Sequence, residues 1–496
     1  MSKKHVCIIG AGPGSLTAAM ILSYRGYRVT LFEKESAPGG RNRALRLGPY
    51  TFDTGPTFLI MPFVLRQVFS LAGRKAEDYL DFIPVDPMYH LNFPDKRMNA
   101  TVDKNRMQQE IDRVFPGNEN SLGKFDRRET ERYNRMYPCL LKSYSDFSTF
   151  LSPTLLRAVP HLALTKSLYS VLRSYFKDEK LTITFTFQAK YLGMSPWECP
   201  GAFAIIPYLE HTFGVEHTKG GLNRISEAMA RVTEENGARV EYGTPVERVA
   251  VDQKGEARGV HLENGEFVEA DAVIVGADFG YAMEHLFEPG VIRKWAPDNL
   301  MKKRYSCSTF MLYLGVDKIY PDAHHQIIFA RDYRKNIEDV VRHKRLSDDF
   351  SFYVQNASIT DSTLAPQGHS TVYVLVPVPN TKSSIEWNGE TVRTLRDRTI
   401  RIIKERTSMT DIDAHIVEEK ITTPADWKDS YNLFIGSTFN LGHTLDQMLY
   451  FRPHNRFEEV GRCYLVGGGT HPGSGLPTIY ESGRITANLV SKEMPY

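Results

Sequence analysis

The chain has 496 residues, 42% of them hydrophobic and 24% charged. That balance belongs to a globular chain of roughly two to four domains and excludes disordered, collagen-like and coiled-coil architectures. Lysine and arginine number 61 against 59 acidic residues, and the resulting net charge of +2 gives no global electrostatic reason to bind nucleic acid.

In chain order, the apolar run 5–9 reads as a strand. Lys3 and Lys4 before it give the start of the chain a superficial likeness to a secretory leader. Gly10, Gly12, Pro13 and Gly14 interrupt the continuous hydrophobic helix such a leader needs. No segment reaches the ~18 apolar residues of a membrane-spanning helix, so any membrane contact is expected to be peripheral. Residues 15–24 carry helix formers, with Leu16, Ala19 and Met20 on one face, and 29–32 reads as a second strand. This strand–helix–strand order favours a parallel sheet and an α/β fold.

The block 61–214 is rich in helical periodicity, Tyr and Phe. At 215–285 the α/β style returns, with a helix at 222–235, strand pieces at Val240, Val246 and Val249, and a buried strand at 272–275 ending at Gly276. Block 286–455 is strand-rich at 310–316, 350–354 and 372–376, followed by a helix at 393–406. The last block, 456–496, gives a strand at 464–466, a glycine-rich turn and a helix at 478–490. Segments 1–60, 215–285 and 456–496 are therefore expected to assemble into one domain, with 61–214 as a helical insertion and 286–455 as a mixed-sheet domain. No internal repeat is present. Cys7, Cys139, Cys199, Cys307 and Cys463 have neither CxxC nor metal-ligand spacing, which reads as five reduced thiols and no metal site.

The sharpest motif is Gly10, Ala11, Gly12, Pro13, Gly14, Ser15, between a strand and a helix. Gly10 permits a tight turn, Gly12 lets backbone approach a pyrophosphate, and the helix start offers free N–H groups and a positive dipole end. Ser15 stands where a third glycine usually allows close helix–strand packing. Glu33 follows at the end of the next strand, about twenty residues on, where a ribose-binding acid belongs. Lys34 comes next, then Gly39, Gly40 and Arg41, then Asp53, Thr54, Gly55, Pro56 and Thr57. Arg41 reads either as a partner for the pyrophosphate or as a solvated loop charge. The strand at 272–275 carries no second glycine motif, so the chain holds one dinucleotide, and FAD is preferred over NAD. The C-terminal run Gly467, Gly468, Gly469, Thr470, His471, Pro472, Gly473, Ser474, Gly475, Leu476, Pro477 supports this. Its backbone can pass close to a flat ring, and the helix start can stabilise negative charge on a reduced flavin.

These residues resemble the bacterial phytoene desaturase family of carotenoid enzymes, within the amine-oxidase-like flavoprotein superfamily. The resemblance covers nearly the whole chain. It is most specific at Phe451, Arg452, Pro453, His454, Asn455, Arg456, at Tyr464 to Gly467 and at Thr470 to Gly473. Tyr208, Leu209 and Glu210 before Gly214 and Val215, the run Gly220, Gly221, Leu222, and Asp53 to Thr57 are similar too. It implies a Rossmann-like FAD-binding domain assembled from discontinuous segments, a mixed-sheet substrate domain and a helical, membrane-associating insertion. It also implies FAD held by Gly10, Gly12, Gly14, Glu33, Lys34 and Arg41, with backbone at Val246 on the adenine and Leu476 N–H near a flavin carbonyl. Pro13, Ser15, Gly40, Pro56, Thr57, Gly468, Gly469, Thr470, Pro477 and Thr478 complete the expected cofactor contacts. Thr470 occupies the position of an acid common in the wider superfamily. Thr478, Ile479, Tyr480 and Glu481 depart from the smaller residues of phytoene desaturases.

The implied reaction removes two hydrogens from neighbouring carbons of a long isoprenoid polyene. Those carbons carry no polar group, so the cofactor performs the hard step while the protein supplies position and dryness. Glu210 and His471 are the candidate polar residues near the reacting carbons. Their plainer readings are a structural ion pair for Glu210 and an ordering role in the glycine-rich turn for His471. The stretch 151–190 interleaves Leu155, Leu156, Val159, Leu162, Leu164, Leu168, Tyr169, Val171, Leu172, Tyr175 and Phe176 with Arg157, Lys166, Arg173, Lys177, Lys180 and Lys190. It reads as a basic-bordered apolar face on an anionic membrane or as a packed helix pair. The expected setting is cytoplasmic, at the inner face of the cell membrane, with a quinone or oxygen as electron acceptor. A carotenoid isomerase, saturase or terminal oxidase, and a non-enzymatic prenyl-lipid escort protein, are the alternatives. A soluble amine oxidase fits the His-Pro-Gly run less well.

Overall fold

The computed structural model describes residues 3–495, apart from the side chains of Lys190 and Tyr191. Two sheets organise the chain. The first is five-stranded and parallel throughout, in the order Cys463–Leu465, Ala272–Val275, β1 (His5–Ile9), β2 (Arg28–Phe32), Arg239–Glu241. Its strands come from both ends and the middle of the chain; all but the edge strand Arg239–Glu241 are short, apolar and largely buried. In β1, Val6 and Ile8 join the helical side. Cys7 and Ile9 join Val249 and Val260 of an antiparallel meander built from Val246–Val251, Ala257–Leu262 and Phe267–Glu269. This alternation is the period-two geometry of a strand.

Helix α1 (Pro13–Tyr24) packs between this sheet, the helix Asn223–Glu235 and the C-terminal helix Leu476–Glu493. The sequence pattern assigns it one apolar face; in the fold every residue from Gly14 to Ser23 is buried. The C-terminal helix covers the other face by close backbone approach. A Cβ on Gly483 would collide with Gly14 O and stand 2.6 Å from Thr17 Cβ. Ser15 is accommodated in a similar way, because a Cβ on Gly276 would collide with Ser15 Oγ. The room that the motif's third glycine usually leaves is left here by Gly276.

The second sheet has seven strands, in the order Ile416–Thr422, Ser308–Val316, Ser370–Val378, Phe352–Asn356, His325–Ile328, Tyr89–Asn92, Arg97–Ala100. Neighbours are antiparallel except His325–Ile328 beside Tyr89–Asn92. Phe310, Leu312, Val354 and Val374 pack on one face with Leu395, Ile400 and Ile403 of the helix Gly389–Arg406. That helix begins four residues before the periodic pattern because the Asn388 side chain caps it, accepting from Glu390 N and Thr391 N. On the other face Tyr313, Ile327, Tyr353 and Tyr373 enter the large core shared with the first sheet.

Two sequence expectations need correction. The block 61–214 is not helical throughout: strands Tyr89–Asn92 and Arg97–Ala100 extend the sheet assigned to 286–455. Their buried apolar residues, Tyr89, Leu91, Met98 and Ala100, alternate in a pattern too short to stand out beside the long helices that follow. The stretch 151–190 also divides. Leu168, Val171, Leu172, Tyr175 and Phe176 turn into the core, while Leu156, Val159 and Leu164 stay exposed. Lys180 pairs with Asp95, and Arg173 donates to Phe176 O. The Lys190 side chain lies outside the described residues. Among the described residues no helix is long and apolar enough to cross a membrane, and all five cysteines are buried and unbridged.

Candidate functional site

The site begins where β1 turns into α1. Gly10 holds the turn at φ +84°, and Gly12 starts the helix at φ −71° with no side chain capping it. Nothing lies within 4 Å of the point where a Cβ on Gly12 would stand, and the same holds at Gly467. Gly14 approaches Gly467 so closely that its Cβ would meet Gly467 N at 3.1 Å, and Gly39 N donates to Ala11 O at 2.8 Å. Loops from both ends of the chain therefore form one backbone-walled cradle at a helix N-terminus, the arrangement that suits a diphosphate.

Glu33 closes the cradle's far end. It is buried, its Oε2 accepts from Ala11 N at 2.6 Å, and its Oε1 accepts from Glu35 N at 3.0 Å. Thr244 N donates to Glu33 O at 2.9 Å, which brings the strand start at Val246 to this end. Lys34 lies at the rim, with its ammonium turned toward Ser430 O and Glu35. Arg41 is no solvated loop charge. Its guanidinium donates to Thr438 O, and in the amide orientation that gives Asn440 partners at both ends, Asn440 accepts from Arg41 at 3.1 Å and donates to Asp278 at 2.7 Å. Burial pushes Asp278 up and Arg41 down, and each charge opposes the other's shift.

The C-terminal loop is held from beneath. Arg452 is fully buried and donates to the carbonyls of Thr470, Gln447, Leu441 and Gly468, the last at 2.6 Å. Burial lowers it to about 9. Asn455 Nδ2 donates to His471 O and to Ser482 Oγ. These two residues of the 451–456 run thus shape the Gly468 to His471 backbone. Leu476 and Pro477 open the C-terminal helix, whose first N–H groups have no i−4 carbonyl, and Thr478 Oγ1 ties back to the carbonyls of Gly473, Ser474 and Gly475.

The loop Asp53 to Thr57 sits between the two sheets. Three tyrosines on one face of the second sheet hold it: Tyr313 donates to Thr54 O at 2.6 Å, Tyr373 to Gly55 O at 2.9 Å and Tyr353 to Thr57 Oγ1 at 2.9 Å. Pro56 is thereby fixed with them. A narrow apolar slot opens beside this loop, lined by Phe187, Ile327, Phe329, Tyr353, Leu375 and Phe439. Its Phe439 wall is anchored to the C-terminal loop, since Ser474 Oγ donates to Phe439 O at 2.6 Å. Further along the same strand and loop, a cleft of about 530 Å³ lies between Met194, Tyr305, Val340 and Pro379, with Lys303, Arg304, Arg342, Lys344 and Lys382 around it.

Glu210 lies one layer behind the slot. Its Oε2 accepts from Gln188 Nε2 at 2.6 Å and Tyr89 OH at 3.1 Å, and Tyr89 packs edge-on against Phe187 of the slot wall. Both hydrogen-bond partners are neutral, so the ion-pair reading does not apply, and burial pushes its carboxyl up to about 7. His471 is separated from this group. Its ring packs against Tyr144 at 4.9 Å, and burial, with Arg452 nearby, lowers it to about 3, so it stays neutral. Sequence reading missed Tyr89, Tyr313, Tyr353, Tyr373 and His325. No local spacing marks them, because strand register alone brings them together.

A family model described as flavin containing amine oxidoreductase matches residues 16–491. A 4,4'-diapophytoene desaturase (4,4'-diapolycopene-forming) of Methylomonas sp is 50% identical over 99% of this chain and 96% of its own length. An all-trans-zeta-carotene desaturase of Myxococcus xanthus is 39% identical over 99% of this chain and 94% of its own. Among solved structures, cyclohexylamine oxidase from Brevibacterium oxydans superposes with a TM-score of 0.64 at 14% identity, covering 100% of both chains. An oxidoreductase from Methanosarcina mazei gives 0.65 at 16% identity over 97% of this chain and 99% of its own. These two structures share the fold.

Proposed function

Because the chain belongs to the flavin-containing amine oxidoreductase family, and within it to the carotenoid desaturases, we propose that it dehydrogenates a long acyclic isoprenoid polyene. FAD is its cofactor, and the residues fit it: the open positions at Gly12 and Gly467, the uncapped start of α1 and the acid Glu33 match a diphosphate and a ribose. When bound, FAD supplies the two-electron acceptor that the reaction needs. The protein's own part is to bind, orient and keep water out. In this reading Gly10, Gly12, Pro13, Gly14, Ser15, Gly40 and Arg41 line the diphosphate. Val246 backs the adenine, Lys34 stands at the ribose rim, and Pro56, Thr57, Gly468, Gly469, Thr470, Leu476, Pro477 and Thr478 surround the ring system. Glu210 is a positioning group acting through Tyr89 and Phe187, and His471 shapes the turn.

The observation that carries the reading is the clamped slot. One wall, Phe439, is tied to the C-terminal loop through Ser474, and the other, Tyr353, is tied to Thr57. The slot has about 20 Å³ of free space, so a hydrocarbon would have to part its aromatic walls, and would then lie against both loops. The polyene is proposed to enter through the adjoining cleft from a membrane surface. Phe147, Leu151, Leu156 and Phe451 are 56%, 58%, 58% and 51% exposed, and ring contacts among Phe147, Phe150, Tyr450 and Phe451 join the two segments. Exposed Arg157 follows Leu156 in this segment, as suits an anionic bilayer at the inner membrane face. A quinone or oxygen is the proposed electron acceptor. The test is incubation of FAD-loaded protein with liposomes containing 4,4'-diapophytoene or phytoene, anaerobically with a quinone and aerobically. New conjugated double bonds support the reading. An unchanged polyene in both arms, with FAD bound, overturns it.

A further inference from the structure

Of the polar groups lining the slot, Tyr353 also bonds the Thr57 loop. Tyr333 and Ser351 line it too, but Ser351 Oγ accepts from Ala330 N. The Tyr353 hydroxyl is 2.9 Å from Thr57 Oγ1 and 2.7 Å from His325 Nδ1. Phe58 stacks on His325 at 4.2 Å. Behind His325 runs a buried polar series: its ring is 4.3 Å from that of His324, His324 is 4.8 Å from His217, and His217 Nε2 is 3.1 Å from Asp361 Oδ2. Asp361 also accepts from Gly220 N at 2.6 Å and Thr363 Oγ1 at 2.6 Å. Burial alone would raise Asp361, but these hydrogen bonds outweigh it and hold the carboxyl below its ordinary range.

A loop tether needs only the Tyr353 hydroxyl. It does not need three successive buried imidazoles ending on a carboxylate. Two of their nitrogens, His325 Nε2 and His217 Nδ1, are buried without a hydrogen-bond partner among the described residues. Such groups are costly to bury.

We propose that Tyr353 is the catalytic proton acceptor of the dehydrogenation and that His325 is the positioning base behind it. The proposal rests on the polyene reading above. The C–H bond of one carbon breaks, and FAD, when bound, would supply the acceptor for its hydrogen and electron pair. The C–H bond of the neighbouring carbon breaks and its electron pair becomes the new π bond. That proton goes to the Tyr353 oxygen as the hydroxyl's own proton passes to His325 Nδ1, leaving an imidazolium on His325. A tyrosine hydrogen can turn between Thr57 and His325, so the resting bond to Thr57 does not block the transfer. Burial holds His325 and His324 well below the ordinary imidazole range, with His217 nearby, so both are neutral and able to accept. A carbon that has lost a hydride beside a double bond makes its neighbour strongly acidic, and a weak base suffices.

The test compares wild type, Tyr353→Phe and His325→Gln, each loaded with FAD and given 4,4'-diapophytoene in liposomes. The expected result is a fall in kcat of about tenfold or more in both variants, with KM within about twofold of wild type. FAD titrated by fluorescence quenching should bind both with unchanged affinity. In the FAD-free, histidine-labelled chain, Tyr353→Phe should shift the His325 Nδ1 resonance and leave that of the distant His454 in place. A Tyr353→Phe enzyme that keeps pace with a dehydrogenating wild type overturns this proposal alone. So does a loss of rate matched by an equal loss of FAD affinity, which marks a loop tether. A wild type that leaves the polyene unchanged overturns the polyene reading and this proposal with it.

Discussion

Glu33 Oε2 accepts from the backbone N–H of Ala11 at 2.6 Å, which locks the acid at the end of β2 onto the glycine turn. Burial pushes this carboxyl up, while the N–H groups of Ala11 and Glu35 favour its charged form. Glu33→Gln keeps the shape but removes the charge that a ribose hydroxyl would bond. Losing a charged hydrogen bond is worth about 1.5–3 kcal/mol, so FAD affinity should fall roughly ten- to a hundredfold. Flavin fluorescence titration measures this, and an unchanged far-UV circular dichroism spectrum separates it from unfolding.

Glycines in the cradle divide into two kinds. Gly12 has φ −71° and open space where a Cβ would stand, so Gly12→Ala should leave the FAD-free fold and its melting temperature unchanged while weakening FAD binding. Gly483→Ala drives a methyl into Gly14 O and Thr17 and should cost about 1–3 kcal/mol of stability, read as a lower melting temperature without FAD. If Gly12→Ala binds FAD normally, the cradle is assigned to the wrong ligand.

Glu210 predicts a pH-dependent stability. Its buried carboxyl is pushed up to about 7 from 4.5, so the folded state holds the proton more tightly than the unfolded chain. The associated stability is present in full below the unfolded value and is lost as pH rises through about 7, a change of about 3 kcal/mol. His211, lowered to about 4, and His471, lowered to about 3, act in the opposite direction, and their contribution is lost as pH falls below the ordinary histidine range. The clean readout is therefore the difference between Glu210→Gln and wild type in denaturant titrations from pH 5 to 9. The variant should gain on the wild type as pH rises, whereas a difference that stays flat would mean Glu210 titrates normally.

The backbone cradle was legible because its signals are local. Gly10, Gly12, Gly14 and Glu33 sit at fixed spacing on one strand–helix–strand unit, and that unit folds as its periodicity says. The slot was not legible. Tyr313, Tyr353 and Tyr373 meet the Asp53 to Thr57 loop only because three distant strands pair in one register. Tyr89 was hidden in a block read as helical. Arg452 and Asn455 stood in a conspicuous motif, but their role depends on carbonyls of a loop that sequence cannot place. His471 was attractive for its motif, and burial against Tyr144 takes it away from the slot.

The exposed patch makes a separate prediction. Leu156→Asp with Phe451→Asp removes two exposed apolar side chains, one from each segment. Each is worth about 1.5–3 kcal/mol when buried, so co-sedimentation with anionic liposomes should fall by roughly tenfold or more, with FAD binding retained. Equal co-sedimentation of variant and wild type would place the membrane contact elsewhere.

The most direct measurement is the mass of the polyene after one anaerobic turnover with stoichiometric FAD-loaded enzyme. The account predicts a product lighter by two hydrogens, absorbing at longer wavelength, formed in step with bleaching of the oxidised flavin. A product of unchanged mass, as from cis–trans exchange, or one that has gained hydrogen or oxygen, would contradict it.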